Sequence, residues 1–472
     1  MYKEDDVEGD ILGDKQKEKC GTAGVFGHKK AAFLTMRMLH ALQHRGQEGT
    51  GIVSSPKKGE FCYHRGHGLV SENFQPATIR ELIGPSAIGH VRYSTSGANN
   101  TMEEASKNIQ PFFAQTAFGG LALAHNGNLT NTDKIRAEMI KTGHIFHSTS
   151  DTEVVLQLAA RNHTKGHIPR IIRSLKKVRG SYAMIMLTKK EMIGVRDPFG
   201  IRPLVLGKLR KCWVLASETC ALDIIGARLI REIEPGEMVV ISENGIRSLK
   251  PFSKKQEREC DFEYIYFAKP DSFVGGQSVQ VVRTRLGEHL ARLCPAKADV
   301  VIPVPDSGVP AALGFSRASG ITFDFGLIRN HYVGRTFIDP NQATRALRVL
   351  LKLNVNRAIV AGKKIVVVDD SIVRATTIKQ IVKMLRKAKV KEIHLRISCP
   401  PIRFSCNLGI DTPDRSKLFA NRFQCIEDMV NDLGVDSLGF LSLEELYKGI
   451  GKKPCGSCSG LCSACFTGKY PT

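Results

Sequence analysis

The stretch that decides the fold of the second half of the chain runs from Lys364 to Thr377 and reads KIVVVDDSIVRATT. Its β-branched aliphatic residues, positions 365–368, predict a short buried strand. Asp369 and Asp370 end this strand, and a small, hydroxylated segment then leads into a helical pattern from Ile378 to Leu385. The stretch therefore predicts a strand, a tight loop and the start of a helix.

This loop carries groups that bind phosphorylated sugars. Backbone amides at a helix N-terminus cradle phosphate, and neighbouring hydroxyl groups add to that cradle. Two carboxylates at a strand end hold a ribose diol or a divalent metal. The alternative is an ordinary turn whose polar residues only cap the helix. We favour the binding site, because burying two adjacent carboxylates without a ligand is costly.

The segment resembles the phosphoribosyl-pyrophosphate (PRPP) loop of the type I phosphoribosyltransferases, which has a hydrophobic strand, two acidic residues and a Gly-Thr-Thr ending. Ala375 stands where that family usually has Gly, at a backbone position that is expected to need a positive φ. The resemblance implies that PRPP binds to Asp369, Asp370, Ser371, Thr376 and Thr377.

A second acidic loop precedes this one along the chain. The strand-like segment Val300–Val304 opens into Asp306 and Ser307, which alone would be a plain turn. Strands alternate with helical patterns here, so we predict a doubly wound, mostly parallel sheet whose ligands bind at the carboxyl ends of its strands. The resemblance implies a magnesium ion, one per subunit, held by Ser307, Asp369 and Asp370.

The amino-acid composition limits the kinds of partner and the cellular compartment that can be expected for the chain. The chain has 472 residues, 42% of them hydrophobic, which predicts a globular protein of two or three domains. It has no apolar run of about 20 residues, so we expect no membrane span. Residues 1–19 lack the features of an export signal, and a cytoplasmic location is expected. The net charge of +22 is spread along the chain, which favours polyanionic small substrates over nucleic acid.

The chain has 13 cysteines, an odd number scattered along the sequence, which argues against a disulfide framework. Near the C-terminus, Cys455 with Cys458 and Cys462 with Cys465 form two Cys-x-x-Cys pairs, which by themselves predict a zinc or an iron–sulfur site. Six isolated cysteines are expected to be buried as small apolar residues: Cys62, Cys212, Cys220, Cys294, Cys399 and Cys425.

The first half of the chain is organised around Cys20, which follows an acidic, polar leader. Many short strand patterns and few long helices predict stacked antiparallel sheets covered by helices. If the leader is removed, the Cys20 thiol can be activated by its own α-amine. In three polar loops further on, Asn126 and Gly127 can receive an oxyanion, and Arg92 with Asp151 can pair with the charged ends of an amino acid.

Together these motifs resemble the class II, or N-terminal-nucleophile, glutamine amidotransferase domain, over residues 20–240. The resemblance implies an αββα fold, a propeptide over residues 1–19 and Cys20 as the catalytic nucleophile. Arg196 and Arg202, in the segment that joins the halves, are as compatible with solvated loop charges as with ligand contacts, and no role is assigned to them. The remaining implied roles are the oxyanion hole, Asn126 and Gly127, and the glutamine site, Arg92 and Asp151.

The stretch from Arg329 to Ile338, continued to Lys352, is rich in cations and suits a flap that closes over a polyanion. It resembles the catalytic loop of the glutamine PRPP amidotransferase family, in which both domain types share one chain. The resemblance implies that Arg335 and Lys352 contact PRPP. Leu350 stands where the family has an Arg.

The run CSACFTGKYP, residues 462–471, resembles the C-terminal signature of the Bacillus-type members of this family, which carry a [4Fe-4S] cluster. The transferase domain would then span residues 260–472 and hold one cluster per subunit. Cys455 and Cys458 become spare or alternative ligands. The implied cluster ligands are Cys260, Cys406, Cys462 and Cys465.

The combined resemblance covers nearly all of the chain after residue 20. It implies an enzyme that makes 5-phosphoribosylamine from PRPP, glutamine and water, with ammonia passed between two sites, at the first committed step of purine synthesis. A homotetramer and inhibition by purine nucleotides are also implied. Two alternatives remain open: a catalytically impaired paralogue acting as a regulator, because of Ala375 and Leu350, and a zinc-bearing nucleic-acid-binding protein, because of the charge and the C-terminal cysteines.

Overall fold

The computed structural model describes residues 20–93, 102–161, 164–253, 255–330, 352–452 and 460–471. The predicted leader, Arg335, Leu350, Cys455 and Cys458 lie outside these described residues. Within them, no helix combines the length and the apolar character that crossing a membrane requires.

The N-terminal half folds into two stacked antiparallel sheets. Its strands, in chain order, are β1 Gly21–Phe26, β2 Gly49–Ser55, β3 Cys62–His67, β4 Ser86–Arg92, β5 Phe112–Thr116, β6 Gly119–Leu129, β7 Gly180–Leu187, β8 Glu191–Arg196, β9 Val205–Leu209, β10 Cys212–Ala216, β11 Arg228–Glu232, β12 Met238–Ser242 and β13 Gly245–Leu249. Within the described residues, one sheet has the order β11-β9-β10-β1-β4-β2-β3 and the other has the order β13-β12-β8-β7-β6-β5.

Helices cover the outer faces of both sheets. They are α1 Ala31–Ala41, α2 Val70–Asn73, α3 Pro76–Glu81, α4 Met102–Lys107, α5 Thr132–Lys141, α6 Asp151–Arg161, α7 His167–Leu175 and α8 Cys220–Asp223, with a short 3-10 turn at Gln43–Arg45. Val53 and Ile88 of one sheet pack against Ala124 and Ile185 of the other to form the inner core. Helix α1 packs on the first sheet, and α6 and α7 pack on the second. This is the predicted αββα arrangement.

The C-terminal half is built around a parallel sheet. Its strands are β14 Glu259–Cys260, β15 Phe273–Val274, β16 Gln277–Ser278, β17 Val300–Pro303, β18 Leu327–Arg329, β19 Leu353–Val355, β20 Lys364–Asp369, β21 Glu392–Ile397, β22 Ser437–Phe440 and β23 Leu461–Cys462. Its helices are α9 Val279–Leu293, α10 Val309–Ser319, α11 Arg357–Val360, α12 Thr376–Lys387, α13 Ile426–Leu433, α14 Leu443–Ile450 and α15 Ala464–Thr467, with short helical turns at Glu263–Phe267, Arg415–Lys417 and Phe419–Asn421.

The parallel sheet has the strand order β17-β20-β21-β22. Phe323 bridges to Val301 on the free side of β17, in parallel orientation. The chain therefore leaves β17 in one direction and later crosses to β20 on the other side. The gap between the carboxyl ends of β17 and β20 is thus a topological switch point, where doubly wound sheets bind their ligands.

The structure corrects two expectations about burial. Cys425 is exposed, because it caps the surface helix α13, and Cys62 and Cys294 are half-buried rather than buried. Arg196 and Arg202 are each only 1% exposed, so the interpretation as solvated loop charges is wrong. Arg196 donates hydrogen bonds to three backbone carbonyls around its own loop.

Candidate active sites

Strand β6 presents the amide and the glycine that were predicted to bind an oxyanion. Asn126 is fully buried, and neither the nitrogen nor the oxygen of its side chain has a hydrogen-bond partner within the described residues. Gly127 has a φ of +145°, and an added Cβ would lie 2.2 Å from the carbonyl oxygen of Ser181 on β7. Since buried polar groups are normally hydrogen-bonded, the Asn126 amide is poised to bind something that enters the site.

Cys20 and Arg92 meet across strands β1 and β4. These strands are antiparallel and their ladder ends with Gly21 opposite Val91, so Cys20 and Arg92 are the next residues of the two chain segments at that end. The two residues are 7% and 9% exposed. Cys20 has a φ of +69°, in the left-handed region that a side chain disfavours. The register thus brings the predicted nucleophile next to the predicted carboxylate-binding arginine.

Asp151 reaches the same site as the first residue of helix α6. Its carboxylate accepts hydrogen bonds from the Leu129 amide at 2.9 Å and from the Thr152 hydroxyl at 3.1 Å. Burial alone would raise the pKa of Asp151, but the nearby His125 ring and these hydrogen bonds hold that pKa at about 2. Asp151 is therefore ionised at neutral pH, which suits a charge-assisted bond to an ammonium group.

A buried histidine fastens the two sheets together beneath these residues. His90 on β4 lies with Nε2 3.1 Å from the carbonyl oxygen of His125 on β6. Burial lowers the pKa of His90 to about 3, so the ring is neutral and donates this bond through Nε2. The cross-link ties the strand end that carries Arg92 to the strand that carries Asn126.

In the C-terminal half, the two predicted acidic loops lie at one edge of the parallel sheet. Strands β17 and β20 pair with Pro303 opposite Val368, and the amide of Val304 donates to the Val368 carbonyl at 2.9 Å. Asp369 and Asp370 are 4% and 1% exposed at the end of β20. The pair of buried acidic residues therefore lies at the end of β20, beside the point where the chain leaves β17.

Helix α12 begins at Thr376, after a short loop that follows this acidic pair. Its first residues are Thr376, which is exposed, and Thr377, which is half-buried, while the Ser371 hydroxyl donates to Asp370 at 2.6 Å. Ala375 has a φ of +67°, which confirms the expectation that this position needs a positive φ. Ala375 is fully buried, so its methyl group does not project into the open edge of the loop.

Ser307 and Lys352 approach this edge from the other loop and from a short ribbon. Ser307 is half-buried in the turn before α10. Its neighbour Asp306 pairs with Arg329 at the end of β18. Strand β18 pairs with β19, and the amide of Asn330 donates to the Lys352 carbonyl at 2.9 Å. The sequence assigned no role to Arg329, since only the ribbon shows that it reaches the acidic loop.

Four cysteines from three separate segments line one cavity. Cys260 on β14 lies opposite Cys462 on β23, and the Cys465 carbonyl accepts hydrogen bonds from the amides of residues 403–404, just before Cys406. Ile201, Arg202 and Tyr470 also line this cavity. Within the described residues, no three His, Cys, Asp or Glu side chains converge on a single metal ion. The four cysteines match the donor set of the predicted [4Fe-4S] cluster, in which each iron takes one thiolate.

A buried ionic network joins the two halves, and the sequence analysis missed it. Glu263 accepts hydrogen bonds from Arg45 at 2.5 Å and from Arg202 at 3.2 Å. Arg45 also donates to Glu218, which accepts a bond from the Ser272 hydroxyl at 2.7 Å. All four charged residues are at most 1% exposed. No local pattern marks these residues, because each partner lies far away in the sequence.

The fold and the two sites define a two-domain enzyme that combines a glutamine amidotransferase with a phosphoribosyltransferase. Family profiles agree: one described as a glutamine amidotransferase domain matches residues 98–223, and one described as a phosphoribosyl transferase domain matches residues 275–431. The amidophosphoribosyltransferase of Rhizobium etli is 49% identical over 98% of this chain and 93% of that protein. The chain therefore belongs to the amidophosphoribosyltransferase family.

Other relatives extend the match to solved structures. The amidophosphoribosyltransferase of Bacillus subtilis is 46% identical over 96% of this chain and 94% of that protein. A structure of glutamine PRPP amidotransferase from B. subtilis, complexed with ADP and GMP, superimposes with a TM-score of 0.90 at 45% identity, over 96% of this chain and 97% of that one. A structure of the allosteric regulatory enzyme of purine biosynthesis superimposes with a TM-score of 0.91 over 96% of each chain. These matches confirm the predicted fold class across both halves.

Proposed function

We propose that this chain converts PRPP, glutamine and water to 5-phosphoribosylamine, glutamate and pyrophosphate, the first committed step of purine synthesis. Membership of the family over nearly the whole chain supports this reaction. The observation that carries it is the side-chain amide of Asn126, which is fully buried without a hydrogen-bond partner in the described residues. An amide held ready in this way suits a developing oxyanion.

In the glutaminase half, Cys20 is the proposed nucleophile. Its thiol proton passes to its own α-amine, and the sulfur attacks the side-chain carbonyl carbon of glutamine. The Asn126 amide and the Gly127 N–H stabilise the oxyanion that forms. The carbon–nitrogen bond then breaks, ammonia leaves with the transferred proton, and water hydrolyses the γ-glutamyl thioester to glutamate.

This chemistry requires removal of residues 1–19, because only a terminal Cys20 has a free α-amine. The left-handed φ of Cys20, +69°, supports that removal. A side chain in this conformation costs about 1–2 kcal/mol, and the constraint disappears when the peptide bond before Cys20 is cut. Arg92 and the ionised Asp151 then hold the α-carboxylate and the α-ammonium of glutamine.

In the transferase half, Asp369 and Asp370 are proposed to hold the ribose hydroxyls of PRPP. With Ser307 they would also hold a magnesium ion, which would supply positive charge for the departing pyrophosphate. The lone pair of ammonia attacks C1 of the ribose, and the C1–oxygen bond breaks with its electrons passing to pyrophosphate. The two carboxylates contribute mainly by fixing the position of C1.

The 5-phosphate of PRPP is proposed to bind at the start of α12, where the amides of the loop meet Ser371, Thr376 and Thr377. Arg335 and Lys352 are proposed to contact the phosphates as cations. The pairing of Arg329 with Asp306 supports this for Lys352, because it ties the ribbon that Lys352 borders to the acidic loop.

We further propose one [4Fe-4S] cluster in the four-cysteine cavity, a homotetrameric assembly, inhibition by purine nucleotides and a cytoplasmic location. Cys465→Ser should abolish a broad absorbance near about 400 nm and lower the iron content. Cys212→Ser is the matched control, because Cys212 is also buried but donates to the Gly27 carbonyl in the other half. Equal iron in the two variants would contradict the cluster site.

The reaction is tested on protein purified without oxygen. Glutamate and pyrophosphate release are measured with glutamine, PRPP and Mg²⁺ together and with each left out, and the N-terminus and iron content are determined. Cys20→Ala should lose glutamine-dependent synthesis but keep synthesis from added ammonia. That split is expected because Cys20 takes no part at C1 of PRPP.

The second candidate function, a regulator without transferase activity, is favoured by Ala375 at a left-handed position. The same assays decide between the two functions. Pyrophosphate formed in step with glutamate supports the amidotransferase. Glutamate release that PRPP does not change, with no pyrophosphate from ammonia either, would show that the transferase half has lost its activity and would replace the first proposal.

A further inference from the structure

The oxyanion strand of the glutaminase half is held from outside by a segment of the transferase half. The Asn128 side chain on β6 donates to the carbonyl oxygen of Asn407 at 2.8 Å. The Ser181 hydroxyl on β7 donates to the carbonyl oxygen of Leu408. The amide of Asn128 in turn donates to the Ser181 hydroxyl at 3.2 Å. The backbone at 407–408 is therefore hydrogen-bonded to both strands at this point.

These contacts lie next to the proposed oxyanion hole. Asn128 follows Gly127 directly along β6, and Gly127 lies opposite Tyr182 in the ladder with β7. Ser181 is fully buried, and its carbonyl oxygen occupies the space where a side chain of Gly127 would stand. A displacement of Ser181 would therefore move the Gly127 amide that is proposed to point at the oxyanion.

Gly409 continues the same segment and approaches Gly127 directly. It has a φ of +113°, and an added Cβ would lie 3.3 Å from the carbonyl carbon of Gly127 and 2.9 Å from Nη2 of Arg202. Gly409 therefore fills the space between the oxyanion glycine and the buried guanidinium of Arg202. The segment leaves Gly127 no room to move outward.

The segment is also fixed at its own ends. The amide of Cys406 donates to the Thr412 hydroxyl at 2.6 Å, and the amide of Leu408 donates to the Cys406 sulfur at 3.3 Å. Cys406, just before the segment, lines the four-cysteine cavity. A loop braced in this way can hold a neighbouring strand in place.

We propose that Asn128 and Ser181 are positioning residues, through which the segment 407–409 holds the oxyanion hole in its reactive geometry. The inference rests on the glutaminase function proposed for Asn126 and Gly127. Losing one oxyanion donor outright lowers kcat by about 10²–10³-fold. Asn128 and Ser181 affect only the orientation of the oxyanion donors and leave the donors in place. Removing either side chain should therefore lower kcat by about tenfold.

The test compares four single variants in the full-length enzyme. Ser181→Ala and Asn128→Ala each remove one contact with the segment. Ser174→Ala and Asn131→Ala are matched controls, since each side chain donates to a backbone carbonyl inside the glutaminase half. In the first two variants, kcat with glutamine should fall about tenfold, with KM for glutamine and synthesis from ammonia within about twofold of wild type. The control variants should match wild type in kcat with glutamine, in KM for glutamine and in synthesis from ammonia.

A merely structural role would lower glutamine-dependent and ammonia-dependent synthesis together, and that result would overturn the proposal. An unchanged kcat with glutamine in both Ser181→Ala and Asn128→Ala would overturn it too. If Ser181→Ala does not fold, the surface contact made by Asn128 decides the question alone. Wild-type enzyme that releases no glutamate from glutamine would instead overturn the proposed function, which is a different outcome from a failure of the positioning role.

Discussion

Glu263→Gln changes the charge of the interface between the two halves while keeping its shape. Glu263 is fully buried and accepts hydrogen bonds from Arg45 and Arg202, and Glu218 is the second carboxylate of the network. Two guanidinium groups and two carboxylates balance one another, so the substitution leaves one uncompensated positive charge in the interior. Removing one partner of a buried pair costs about 3–5 kcal/mol. We expect about 3 kcal/mol here, because Glu218 still pairs with Arg45.

Calorimetry at one fixed scan rate measures this effect. For a domain of roughly 200 residues, a loss of about 3 kcal/mol lowers Tm by about 6–12 °C. Glu444→Gln is the control, since Glu444 is exposed and pairs with Lys448 at 2.8 Å across one helical turn. A surface pair of this kind contributes about 1 kcal/mol at most, or about 2–4 °C. Equal falls in Tm for the two variants would refute the reasoning that Glu263 balances buried charge.

Three further changes test single residues. Asp151→Asn should raise the KM for glutamine roughly 10–100-fold and leave synthesis from ammonia unchanged, as steady-state kinetics with both nitrogen donors will check. Ala375→Gly removes a left-handed strain of about 1–2 kcal/mol. It also loses a buried methyl group worth about 0.8 kcal/mol and raises the conformational entropy of the unfolded chain. Because these effects oppose one another, the free energy of unfolding measured with denaturant should change by less than about 1 kcal/mol. Burial would raise the pKa of Glu218, but Arg45 and His44 hold it well below the ordinary value of 4.5. The unfolded chain therefore takes up this proton first as pH falls, and stability present above pH 4.5 is lost below it. Tm should accordingly depend less steeply on pH below about 4.5 in Glu218→Gln than in wild type.

The groups proposed to carry chemistry could be named from the sequence because each lies in a short local pattern. Asp369 and Asp370 end a run of β-branched residues, and a strand that is buried at both faces can only place such a pair at its end. The resemblance to the PRPP loop, which usually has Gly at this position, implied a positive φ for Ala375, and its φ is +67°. These arguments need only neighbours in the sequence.

The contacts between the halves could not be predicted in this way. Arg45 and Glu263 are 218 positions apart, and Asn128 and Asn407 are 279 positions apart. An arginine in a loop has the same local pattern whether water or a carboxylate surrounds it, which is why solvation of Arg202 remained an open interpretation. Only the packing of two complete domains decides between those environments.

The same two guanidinium groups connect the domain interface to both sides of the glutaminase site. The Arg45 side chain lies 3.3 Å from the position of a Cβ at Gly21, the residue after Cys20. Arg202 packs against Gly409, the glycine that abuts the oxyanion hole. Because the desolvation of buried charges offsets much of their attraction, such a network adds little net stability over an apolar interface of the same shape. Its effect is instead directional: both arginines pair with Glu263 of the transferase half, and they also lie beside the residue after the proposed nucleophile and beside the glycine that abuts the proposed oxyanion hole.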